Sequence, residues 1–151
     1  HESRLVASDP VTTAALLTKV CQNRTDFFKG IIWFRLPIPS DSLNWPEETL
    51  AAIINQEPLE SRLEVTTSPS ADGATNVSIV NHGNLTIPLP TQIPLTLDAE
   101  DILAAGGSAN WLYEKGVFVR RAESRLFRTT KTHLAPGQTQ ILGWYRIHAG
   151  F

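Results

Sequence analysis

The chain has 151 residues, 42% of them hydrophobic and 19% charged, with a formal net charge of -2. That is the composition of an ordinary globular protein, long enough for one domain or two small ones. The charge balance gives no reason to expect a nucleic-acid or anionic-membrane partner, and no apolar run approaches the ~20 residues of a membrane-spanning helix.

The sequence contains no methionine, so His1 is expected not to be the first residue of the gene product. No signal-peptide pattern opens the chain, which for such a start says nothing of compartment. Cys21 is the only cysteine, so no internal disulfide can form.

The first predicted element is a helix in "SDPVTTAALLTKVCQNR". Asp9 can cap it and Pro10 sits at the first helical position. Val11, Ala14, Ala15, Leu17 and Cys21 recur at helical spacing and are the expected buried face. "KGIIWFRLPIP" follows, a predicted strand apolar on both sides. A second helix is predicted in "LNWPEETLAAIINQEP". Asn44 is its expected cap, with Glu47 three residues on completing a capping box. Leu50, Ala51, Ile53 and Ile54 are its expected buried face, and Pro58 ends it.

Beyond Pro58 the helical period fades and β-branched residues alternate. "RLEVTT", "ATNVSIVNHGNLTIPLP", "IPLTL", "GVFVRR", "SRLFRTT" and "QTQILGWYRI" read as strands or extended pieces. Turns are expected at Ser70-Ala71-Asp72-Gly73, at Asn81-His82-Gly83-Asn84 and at Ala135-Pro136-Gly137. Strands this short and closely spaced suggest an antiparallel sandwich. "DAEDILAAGG" breaks the pattern and reads as a short helical turn ended by Gly106.

A strand apolar on both faces belongs to a sheet covered on both sides. With a helix before and after it, the Ile31 to Leu36 run resembles one unit of an α/β sheet or barrel. Side chains at the C-terminal ends of such strands face the ligand site. Arg35 stands there and is a candidate ligand-binding residue; the plainer reading is a salt bridge at the strand end. A complete barrel needs about 250 residues, so this chain cannot hold one. The strand is therefore expected to join the later sheet or to pair with another chain.

"GIIWFRLPIP", "NWPEETLAAI", "VSIVNHGN", "LPTQIPLTL" and "LAPGQTQILGWYRI" together resemble the C-terminal part of a bacterial family, domain of unknown function 3142. The resemblance is carried by Gly30, Trp33, Arg35, Leu36, Pro37, Trp45, Asn81, Gly83, Pro136, Gly137, Gly143, Trp144 and Arg146. It implies a glycoside-hydrolase-type barrel upstream, a small β-rich domain here, and a cell-envelope or secreted setting. That family has no established activity, so the resemblance names no substrate.

Chemistry-bearing clusters are sparse. Glu47 and Glu48 suit a first helical turn, and Asp98, Glu100 and Asp101 lack the spacing of a calcium loop. The histidines His1, His82, His133 and His148 show no ligand spacing. Cys21 lies on an apolar helix face and reads as an inert thiol. No nucleophile elbow, phosphate loop or dinucleotide fingerprint occurs.

The tryptophans, Trp33, Trp45, Trp111 and Trp144, are many for the length. Trp111 with Tyr113, in the polar, loop-like setting of "SANWLYEKG", is the candidate for an exposed platform for a sugar; the plainer reading is that the tryptophans fill a small core. Trp144 and Tyr145 alternate on a strand, so one of them faces out.

The expected fold is α+β, a helix-strand-helix segment over 1–58 and an antiparallel β-sandwich-like module over 59–151. The expected role is a non-catalytic accessory or interaction module of a larger bacterial protein. The alternatives are a fragment of a glycoside-hydrolase-like enzyme or a carbohydrate-binding module. The site residues are Arg35, Trp111 and Tyr113, with no catalytic residue, metal or cofactor. The partners are a carbohydrate or a protein, or a second copy through the Ile31 to Leu36 strand.

Overall fold

The computed structural model describes residues 8–33, 44–121 and 132–148. Helix α1 spans Pro10–Gln22 and begins as its sequence requires. The Asp9 carboxylate accepts from the Thr12 backbone N–H at 2.7 Å, and Pro10 opens the first turn. The hydrogen bonds to Thr12 hold the Asp9 carboxyl below the usual carboxylate range. The expected apolar face is covered in part, with Ala14 and Cys21 half-buried and Ala15 exposed. Leu17 is the buried residue of α1, whereas Val11 is 55% exposed.

Helix α2 spans Glu47–Ile54. Its start differs from the expected capping box. Pro46 stands at the N-cap with no side-chain cap, and the Asn44 side chain accepts from the Trp45 N–H instead. Proline fixes the entry angle, so the helix begins two residues later than an Asn44 cap would start it. Its buried face is Thr49, Leu50, Ala52 and Ile53. Ala51 and Ile54, expected inside, are exposed. The end is a Schellman motif. Gln56 takes a positive φ of 57°, its N–H bonds the Ile53 carbonyl, and the Glu57 N–H bonds that of Ala52.

Ile31, Ile32 and Trp33 carry no strand, which corrects the expected start of the Ile31 to Leu36 strand. The remainder of that run, with Arg35, lies outside the described residues, as does "SRLFRTT".

The strand-rich part follows the expected alternation. Strands β1 (Leu63–Pro69) and β2 (Thr75–Asn81) form a hairpin. The short strands β3 (Ile87–Pro88) and β4 (Gln92–Pro94) come next. Then follow β5 (Ile102–Gly107), β6 (Trp111–Glu114), β7 (Val117–Arg120), β8 (His133–Leu134) and β9 (Thr139–Ile147).

They build a four-stranded antiparallel sheet in the order β1-β2-β9-β5, a three-stranded one in the order β4-β7-β6, and a β3-β8 pair. The architecture is α+β with β-sandwich-like sheets. One core joins all three sheets: Val77, Ile79 and Leu142 from the first, Ile93, Trp111 and Phe118 from the second, and Leu134 from the pair, with Leu89 beside them.

Two readings are corrected here. "DAEDILAAGG" holds only a single 3-10 turn, Ala99–Asp101, and then becomes β5. Leucine and alanine favour helix locally, but pairing along β9 overrides that preference. "SANWLYEKG" is not loop-like throughout: Trp111–Glu114 is a strand in a tight hairpin with Val117–Arg120, which lies in the expected strand "GVFVRR". Lys115 and Gly116 both take positive φ, 46° and 86°, which suits the twist of a two-residue connection. Lysine is an unusual residue for that position, so the turn left little trace in the sequence. The expected turn at Ala135-Pro136-Gly137 is present, with the Gln138 N–H bonded to the Ala135 carbonyl and Gly137 at φ 68°.

Candidate functional site: the open face of the four-stranded sheet

Trp111 and Tyr113 do not form an exposed platform. Trp111 is 0% exposed, and its indole belongs to the core. Its polar neighbours in sequence mark the turns at either end of β6, while Trp111 itself points inward. Its Nε1 is buried without a partner among the described residues. Tyr113 is half-buried and meets Phe118 edge-on at 5.4 Å between ring centroids, across the β6–β7 pair.

The outward aromatic is Trp144. In β9 the bulge opposite Val77 and Ser78 sets the alternation so that Gly143 and Tyr145 face the core side. Trp144 therefore stands on the opposite face of the sheet, in register with Asn76 on β2 and Gly106 on β5. A Cβ at Gly106 would come within 2.9 Å of the Trp144 Nε1 and 3.2 Å of its Cζ2. The indole thus lies over a residue with no side chain, resting on the sheet.

Two further rows complete this face. Thr66, Ser78 and Ile141 are in register beside the Asn76–Trp144 row, and Ile141 is 58% exposed. On the other side, Arg146 brings its guanidinium carbon to 5.6 Å from the Trp144 ring centroid, within cation–π reach but beyond full stacking distance.

Arg146 also reaches the β1–β2 turn. Its Nη2 donates to the Asp72 carboxylate at 2.9 Å and to the Asp72 carbonyl at 3.2 Å. Asp72 is held below the usual carboxylate range, first by a hydrogen bond from the Ser70 side chain, then by the Ala74 backbone N–H and by Arg146. The face therefore offers an indole, a neutral amide, hydroxyls and one internally paired guanidinium and carboxylate. No helix among the described residues makes extensive contact with β9.

The Asn81-to-Asn84 turn, expected from the sequence as a turn, is a joint. Asn81 is fully buried. Its side-chain amide donates to the Leu85 and Leu134 carbonyls, and its side-chain oxygen accepts from the Gly83 N–H. Gly83 lies so close to the Glu60 carbonyl that no side chain fits there. The Asn84 side chain accepts from the Glu60 N–H and donates to the Pro58 carbonyl, while the Asn84 carbonyl accepts from the Thr49 hydroxyl of α2. The turn fastens the helical segment to the sheets.

A second surface lies on that helical segment. An open groove of about 610 Å³ runs between α1 and the chain after it, with Leu16, Val20 and Phe28 as its apolar wall and Lys19 and Arg24 at its rim. Beside it in sequence, Phe27 is 91% exposed and Ile32 is 95% exposed. Cys21 is half-buried on α1. No cluster of histidine, cysteine and carboxylate side chains suited to a metal ion occurs among the described residues. No helix among them is long and apolar enough to cross a membrane.

Residues 64–148, from β1 to the end of β9, match the family described as Domain of unknown function (DUF8456). The chain belongs to this family. The match begins after both helices, so the family domain is the strand-rich part. It is a family without a described activity, as expected, and it speaks neither of domain of unknown function 3142 nor of a barrel or a bacterial source. No curated protein and no solved structure matches the chain.

Proposed function

We propose that the chain is a non-catalytic accessory module of a larger assembly, divided at Pro58 into a docking segment, 1–58, and a binding module, 59–151. The observation that carries this reading is the exposure of Phe27 at 91% and Ile32 at 95%, next to a groove walled by Leu16, Val20 and Phe28. Scattered apolar residues are normal on a surface, but large aromatic and aliphatic side chains concentrated on one segment are a feature of interaction sites. The basic rim, Lys19 and Arg24 with Lys29 close by in sequence, fits a protein surface whose apolar patch is edged by aspartate or glutamate.

Apolar dye fluorescence tests the docking surface. The wild-type chain binds an apolar dye such as anilinonaphthalene sulfonate, and the pair Phe27→Ser with Ile32→Ser binds much less while keeping its strand signal in circular dichroism. A wild-type chain that binds no dye, or a variant that binds it equally, contradicts the reading.

A further inference from the structure

We infer that the open face of the four-stranded sheet is a binding site for a neutral glycan, with the Trp144 indole as its platform. This rests on a different face from the docking segment and on different residues. Three observations carry it.

The first is the attitude of the ring. Because Gly106 has no side chain, Trp144 lies down on the sheet rather than standing off it. The indole is half-buried, backed by peptide groups on one side and with the Arg146 guanidinium carbon over the ring at 5.6 Å, and the surface left open beside that group is what it presents to the C–H face of a pyranose ring. The second is the polar surround. Asn76 stands in register with Trp144, and Ser78 and Thr66 in the neighbouring row. The Asn76 amide and the Ser78 hydroxyl have no hydrogen-bond partner among the described residues. Amides and hydroxyls supply the mixed donors and acceptors that sugar hydroxyls need.

The third is the charge pairing. Arg146 binds Asp72 at 2.9 Å, so a donor that lies over the ring and an acceptor sit side by side. Adjacent hydroxyls on a sugar, each able to donate and accept, match such a pair. Because the two charges compensate each other, the site favours a neutral ligand over a phosphate or an acidic chain. Ile141 is the lone exposed aliphatic residue of the central rows, too little apolar surface for a peptide helix.

The test is calorimetric titration of the whole chain with soluble neutral oligosaccharides, namely cellohexaose, xylohexaose, maltohexaose and chitohexaose, with a polyproline peptide as the rival. At least one sugar is expected to bind saturably. Trp144→Ala weakens it by about tenfold or more. Gly106→Ala, which pushes against the indole while keeping it, weakens it less. Phe27→Ser with Ile32→Ser leaves the affinity unchanged, separating this site from the docking surface. Circular dichroism checks that each variant is folded. Failure of all four sugars to bind overturns the inference, as does wild-type affinity in a folded Trp144→Ala variant, or saturable binding of the peptide alone.

Discussion

The segment before Pro58 and the strand-rich part after it treat apolar residues in opposite ways. In the second, Trp111, Phe118, Leu134 and Leu142 are each 0% exposed and share one core. In the first, Leu17 is the only buried residue of α1, and Phe27 and Ile32 are almost wholly in water. The difference teaches where each part finds its stability. The sheets bury their own apolar surface, at roughly 25 cal/mol per Å². The helical segment buries one face of α2 and is held by the hydrogen bonds around Asn84, and Phe27 and Ile32 remain exposed.

Substitutions can break this contrast. The largest effect is expected from Phe118→Ala, which empties the shared core and should cost about 3–5 kcal/mol. Chemical denaturation measures it, and a loss below about 1 kcal/mol would mean the three sheets do not share a core. Asn81→Ala comes next. It leaves the buried Leu134 carbonyl and the Gly83 N–H without the bonds they make, at about 1–3 kcal/mol.

Thr49→Val removes the hydroxyl that α2 donates to Asn84. It should cost about 0.5–1.5 kcal/mol and loosen the helices before the sheets, seen as earlier loss of helical than of strand signal. Phe27→Ser with Ile32→Ser should change the stability of the isolated chain by less than about 0.5 kcal/mol, because both residues are already in water. That small number beside the large one for Phe118 is the sharpest statement of the contrast.

The smallest effect is one of pH. Asp72 is exposed, and its folded pKa is lowered from the ordinary 3.8 by Ser70, Ala74 and Arg146. Its contribution to stability is present above that ordinary value and is lost as pH falls through the lowered folded value. The melting temperature of Asp72→Asn should therefore lie slightly below wild type near neutral pH and converge with it below about pH 4.

How much of this was legible in the sequence varied with the physical signal. Alternating β-branched residues gave β1, β2, β7 and β9. The pairs Asp72-Gly73 and Pro136-Gly137 gave turns, and parity alone required one of Trp144 and Tyr145 to face out. The platform was sought at Trp111 because Ser108, Asn110, Glu114 and Lys115 surround it. Polarity along the chain did not disclose that those residues flank a four-residue strand whose first side chain points inward. The signal that could have found the hairpin was the Lys115-Gly116 pair between two apolar runs.

Ile102 to Ala105 read as helix because their preference is helical, and only a long-range pairing with β9 makes them a strand. The buried face of α2 missed Thr49 and Ala52 because Thr49 is drawn in by a distant carbonyl, that of Asn84. The Arg35 expectation falls outside the described residues.

Hydrogen exchange, followed peptide by peptide in the isolated chain and in the native polypeptide with whatever it is bound to in its source cells, tests the central claim most directly. The account predicts slow exchange in β2 and β9 in both samples. It predicts that residues 24–32 exchange fast in the isolated chain and become protected in the native form, where the apolar surface is covered. Equal, fast exchange of residues 24–32 in both samples would contradict it.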